Sequence, residues 1–124
     1  MKWWVVVGLV VSRMLVLVPP VLAQTTSLAG VIDFHVHSGP DSRPRSVSDL
    51  EIARIAKRAG MRGMVFKNHF TMTADRAWLA MQEVDGIEIF GGVALNHGVG
   101  GLNAEAVRQL VAFSGGRGKV VWLP

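Results

Sequence analysis

Three observations predict a parallel α/β fold, read as the first half of a TIM-type (β/α)8 barrel, β-α-β-α-β-α-β. Short β-rich apolar runs alternate with amphipathic helical runs along the chain. The strand centres, Ile32, Val65, Val93 and Val121, are 33, 28 and 28 residues apart, which is the length of one βα unit. All four histidines fall at or just beyond the C-terminal end of a predicted strand, where parallel α/β folds build their sites. Strands alternating with helices imply a parallel sheet with right-handed crossovers. An open doubly wound sheet is the other architecture with this pattern. No glycine fingerprint for phosphates follows the first strand, and Ser38-Gly39-Pro40-Asp41-Ser42-Arg43-Pro44-Arg45 is too proline-rich to open a helix directly.

The first strand is expected over residues 31–37 (VIDFHVH). Ser48 and Glu51 form a capping box that starts the first helix, with Leu50, Ile52, Ala53, Ile55 and Ala56 as its apolar positions. Gly60 suits a left-handed stop. Residues 63–67 are the second strand, and Thr73 is the expected cap of a helix over 74–84 whose buried side carries Ala77, Trp78, Met81 and Val84. Asp85-Gly86 is a turn, residues 87–95 a third strand, Asn103 the cap of a third helix to about residue 113, and residues 119–123 a fourth strand. These strands are apolar at successive positions, as expected where both sheet faces are covered.

The N-terminal region differs in kind. Residues 1–23 hold only two charges, Lys2 and Arg13, around an apolar core, and Val21-Leu22-Ala23 resembles a signal-peptidase site. They read as a signal peptide that exports the protein to the periplasm or medium. A membrane anchor is the alternative, disfavoured because a mid-span arginine costs roughly 2.5–3.5 kcal/mol. A start codon placed too far upstream is the third reading and would leave the protein cytoplasmic. Residues 24–30 form a polar leader, and residues 31–124 the barrel domain. A full barrel takes about 250 residues and eight strands, so a chain ending on its fourth strand reads as a truncated N-terminal half. Its edge strands would then be prone to homo-oligomerisation or aggregation.

Charge and composition exclude several functions. The net charge is +4, and 11 basic against 9 acidic residues remain once Lys2 and Arg13 are set aside. The basic residues form no stripe, so nucleic acid is not an expected partner. A small-molecule substrate is. Membrane contact is expected only if the N-terminal segment stays attached. The absence of cysteine excludes disulfides, thiolate metal sites and a cysteine nucleophile.

Asp33-Phe34-His35-Val36-His37 carries the sharpest signal. Side chains alternate along a strand, so Asp33, His35 and His37 are expected on one face. Two imidazoles two residues apart on a rigid strand can ligate one divalent ion, zinc being the commonest hydrolytic choice and iron, manganese or nickel the others. The bland alternative is a pair of histidines on a solvent-facing edge strand. A first strand covered on both sides argues against it. Asp33 can orient a ligand from behind or simply be a paired carboxylate.

An HxH pair at the end of the first strand, preceded by Asp, resembles the amidohydrolase superfamily of metal-dependent (β/α)8 hydrolases. VIDFHVHSGP (residues 31–40) is most similar to its amidohydrolase-like members of unknown function, and the segments KNH (67–69) and GVALNH (92–97) fit that group. The resemblance covers roughly residues 31–124. It implies that His35 and His37 are the strand-one metal ligands and that His69 is a further candidate. It also implies metal-assisted hydrolysis of a C–N or C–O bond, with further ligands and the general base supplied by later strands, beyond Pro124. The fragment alone is then expected to be inactive. Lys67 can polarise a substrate oxygen or pair with a carboxylate. Arg43 and Arg45 can clamp an anionic substrate or serve as solvated loop charges. His97, in a glycine-rich loop, is a candidate substrate contact. The HxH element also occurs in PHP-like phosphoesterases. That alternative and a non-catalytic truncated fragment stay open.

Overall fold

A computed structural model describes residues 27–124. Residues 1–23, where a signal peptide or membrane anchor is expected, and the first residues of the leader lie outside them. The order is β1 (Ile32–Val36), α1 (Asp49–Arg58), β2 (Gly63–Phe66), α2 (Ala74–Glu83), β3 (Glu88–Ala94), α3 (Ala104–Ala112) and β4 (Gly118–Trp122), with a single 3-10 turn at His97–Val99 and another at Ser114–Gly116. The four strands form one parallel sheet in the order β1-β2-β3-β4. No helix among the described residues is long and apolar enough to cross a membrane.

Local chemistry sets most helix ends. Ser48 Oγ accepts the Glu51 N–H at 3.3 Å while the Ser48 N–H donates to the Glu51 carboxylate at 2.7 Å, closing the capping box. Such a cap is worth about 1 kcal/mol. Hydrogen bonding to Ser48 holds the Glu51 carboxyl below its usual range, so the box keeps its charge. Gly60, at φ +76°, makes the left-handed turn after α1. Asn103 Oδ1 accepts the N–H groups of Glu105 and Ala106 at 3.0 and 3.3 Å, starting α3.

Thr73 behaves differently from a cap. It precedes α2, but its side chain makes no capping bond. Its buried hydroxyl lies 2.6 Å from the Phe66 carbonyl and accepts the Gly92 N–H at 2.9 Å. Backbone groups at the end of β2 and within β3 compete for this hydroxyl and win it. The result ties the start of α2 to both β2 and β3.

The core lies on one face of the sheet. Met64 and Phe66 of β2 and Ile89 of β3 pack against Ala53 and Ala56 of α1 and Ala77 and Ala80 of α2. Val93 and Leu95 pack with Ala74 of α2 and Leu110 of α3. Small alanines let the helices approach closely. Ile55 and Trp78, expected on buried faces, are correspondingly exposed. At Gly118 a Cβ would collide with the Leu110 carbonyl, so α3 rests directly on the β4 backbone.

The expectation that every strand is covered on both faces does not hold. β1 and β4 are the sheet edges, Phe34 is 61% exposed and Val121 40%. The β1 register also slips. Asp33 pairs with Met64 but Val36 with Phe66, so β1 carries one extra residue between them. The strict alternation expected from Asp33 to His37 is broken there, and the Asp33 carboxylate instead accepts the His35 N–H at 2.8 Å.

A nearly buried ion pair locks the loop after β1 to the helical layer. Arg76 of α2 holds Asp49 through Nε–Oδ2 at 2.7 Å and Nη2–Oδ1 at 2.6 Å. Arg76 Nη2 also donates to the Ser38 carbonyl at 3.0 Å, and the buried Ser38 hydroxyl donates to Asp49 at 2.6 Å. Removing one partner strands the other charge. Arg76→Leu is therefore expected to lower unfolding stability by about 3 kcal/mol, whereas Arg76→Leu with Asp49→Leu recovers most of it. Urea titration measures both. A single variant as stable as the parent chain would show that the pair contributes nothing.

Candidate metal centre

His35 lies within β1 and His37 directly after it. Their rings converge, with Nε2 to Nε2 at 3.2 Å and centroids 5.1 Å apart. Two nitrogens each about 2.05 Å from one ion, at a tetrahedral angle, would stand about 3.3 Å apart. The pair therefore fits two positions of such a coordination sphere. Among the described residues, no three His, Cys, Asp or Glu side chains are grouped to hold an ion. His69 approaches, but its ring stacks on His37, centroid to centroid 5.0 Å and 21° from parallel. Its Nδ1 faces the Asn96 side-chain amide at 3.3 Å.

The other contacts extend this cluster into an arc of rings. On one side Trp122 of β4 lies 6.3 Å from His35, with the Lys67 ammonium 4.9 Å from the Trp122 ring. On the other, Phe70 meets His69 at 6.2 Å, and the Arg43 guanidinium sits 5.6 Å from the Phe70 ring. A cation thus stands at each end of the arc, with the histidines between. The Asn68 side chain shapes the loop by accepting the N–H groups of Phe70 and Thr71 at 2.7 and 3.2 Å.

Arg45 determines how His37 is protonated. Its Nη2 lies 3.3 Å from His37 Nδ1, and a guanidinium can only donate. Nδ1 is then the acceptor, and a neutral His37 carries its proton on Nε2, where it can donate to His35. Arg45 is itself held by Asp41, at 2.7 Å from Nε. Burial raises the Asp41 carboxyl, but hydrogen bonds from Arg45 and the loop backbone outweigh it and hold that group below its usual range. The His37 pKa is lowered, first by burial and then by Arg45, His69, His35 and Lys67.

The structure thus brings His35, His37 and His69 together and adds Arg45 to them. Lys67 and His69 both follow the second strand. That strand ends at Phe66, and they go to different partners, Lys67 to Trp122 and His69 to His37. His97 opens a 3-10 turn and is exposed, outside the stack. The first strand, expected to be covered on both sides, is an edge, and His35 is exposed. What speaks for the pair is its nitrogen separation. Trp122, Asn96 and Phe70 were missed. Their position at or shortly past strand ends was the available signal.

One comparison bears on identity. A family model described as a family of unknown function, DUF6282, matches residues 30–124. The chain belongs to the DUF6282 family. No curated protein and no solved structure matches it. The matched stretch of this DUF6282 chain takes in the whole sheet and the arc of rings.

His37 titration tests the arrangement. Its folded-state value lies below the ordinary 6.5, so protonation favours the unfolded chain. The associated stability is complete above that ordinary value and is lost as pH falls from there toward the folded-state value. NMR titration is expected to show a His37 midpoint below that of free histidine. Arg45→Ala should move it upward, and an unmoved midpoint would remove Arg45 as a cause.

Proposed function

We propose that this chain carries the strand-one metal pair of an amidohydrolase-type, metal-dependent hydrolase, built on the first half of a (β/α)8 barrel. The observation that carries the reading is the 3.2 Å separation of His35 Nε2 and His37 Nε2 at the C-terminal end of β1. The sheet supports the barrel part. Sequential strand order with α1, α2 and α3 on one face is the arrangement of a barrel wall, whereas a doubly wound sheet places helices on both faces.

In this reading His35 and His37 hold a divalent ion, zinc by donor type, with iron, manganese or nickel as alternatives. Such an ion supplies a water activated toward a pKa of about 7 and polarises the scissile group. His69 packs against His37 and restrains its ring. For ligation through Nε2, His37 must carry its proton on Nδ1, so the Arg45 contact must be given up. Asp41 retains Arg45 beside the site when that happens. Trp122 and Phe70 wall the histidines from opposite ends of the arc. None of the described residues is assigned the role of general base.

Metal content measures the reading directly. His35→Ala and His37→Ala are each expected to abolish tight uptake in the full-length protein, with a smaller loss for His69→Ala and little for His97→Ala. Uptake should fall on acidification, because imidazole must be neutral to bind. Full occupancy in the variant lacking both His35 and His37 would sink the proposal. Export is part of the same reading, and N-terminal sequencing of secreted protein should then begin at or near Gln24. A mature chain starting at Met1 would count against cleavage.

A further inference from the structure

Beside the histidine pair, past the ends of β2 and β3, lies a cavity of about 530 Å³. Its wall includes Arg43, His69 and His97 together with Phe70, Leu95 and Leu102. Arg43 has no acidic partner within ion-pair distance among the described residues. Its neighbour Asp41 gives Oδ2 to Arg45, while Asp41 Oδ1 accepts the Arg43 backbone N–H at 3.3 Å. The Arg43 guanidinium is left against the Phe70 ring with its donors unspent. His69 adds another donor. The Asn96 amide nitrogen lies 3.1 Å from the His69 carbonyl, an acceptor only, and 3.3 Å from His69 Nδ1. Nδ1 is thus the acceptor, and a neutral His69 carries its proton on Nε2. No Asp or Glu side chain lines the cavity, and Pro124 completes its wall. A wall of donors and apolar side chains, without an acidic side chain, suits a ligand that is negative at one end and apolar at the other.

We propose that this cavity binds a small organic anion, a carboxylate or a phosphate, anchored by Arg43 with its apolar body against Phe70, Leu95 and Leu102. This deepens the hydrolase reading and rests on it for the ligand's role as substrate. Binding itself needs no metal. The test is an NMR titration of the chain in chelator with benzoate, phenyl phosphate and the neutral benzamide. At least one anion should shift the amides of Gly98, Gly101 and Leu102 saturably and bind at least tenfold tighter than benzamide. Arg43→Gln, an exposed substitution, should weaken that anion at least fivefold and leave benzamide unchanged, with Arg43→Lys in between. Equal binding of anions and benzamide, no binding of either anion, or indifference to Arg43→Gln would overturn the proposal. His35→Ala separates the two readings. It should lose metal in the full-length protein yet bind the anion normally. Loss of anion binding with metal uptake intact in Arg43→Gln leaves the hydrolase reading standing. Anion binding in a protein that takes up no metal leaves this site standing and removes the ion.

Discussion

The histidine pair hangs on one ladder, that between β1 and β2, because β1 has no other strand neighbour among the described residues. The ladder's last rung is the Lys67 N–H donating to the Val36 carbonyl at 2.8 Å. Beyond it the chain would fray, as strand ends with few buried contacts do. The Ser38–Asp49–Arg76 network prevents this by gripping the residue after His37 from α1 and α2. Gly39 adds two rungs of its own, donating to Val47 and accepting from Asp49 at 2.9 and 2.8 Å. Buried ion pairs add little net stability against an apolar replacement. Here the gain is positional. A nitrogen separation of 3.2 Å is useful only if it is held to a few tenths of an ångström.

What was legible in the sequence was mostly local. Ser48 and Glu51 are three residues apart, and both halves of their exchange lie in one turn, so the capping box could be read directly. Gly60 and Asn103 acted as their types suggest. Thr73 was misread because its hydroxyl is claimed by Phe66 and Gly92, which lie 7 and 19 residues away. β1 looked like a buried strand because Ile32, Phe34 and Val36 are apolar. Hydropathy does not say which strand becomes an edge. Its extra residue is equally invisible, since a slipped register leaves composition unchanged. In the site, His35 and His37 were legible because two-residue spacing on a strand brings side chains together. The Arg45–His37 contact spans eight residues of proline-containing loop and has no periodicity behind it.

The charge balance around the pair links the two ends of the arc. Arg43, Arg45 and Lys67 all lie near the histidines, and a unit cation about 5 Å from another costs roughly 3 kcal/mol at an effective dielectric of 20. A divalent ion would feel each of them twice as strongly. Burial first, and then Arg45 and Lys67 of these cations, lower the basicity of His37, which favours the neutral form a ligand needs. Arg45 and Lys67 therefore assist ligation by one route and oppose it by another. Asp41 is spent on Arg45, and Asp33 is turned onto its own strand. No other Asp or Glu among the described residues hydrogen-bonds or ion-pairs with the histidines. An anionic ligand would balance the charge of such an ion, and the unspent donors of Arg43 stand where a ligand would bring it.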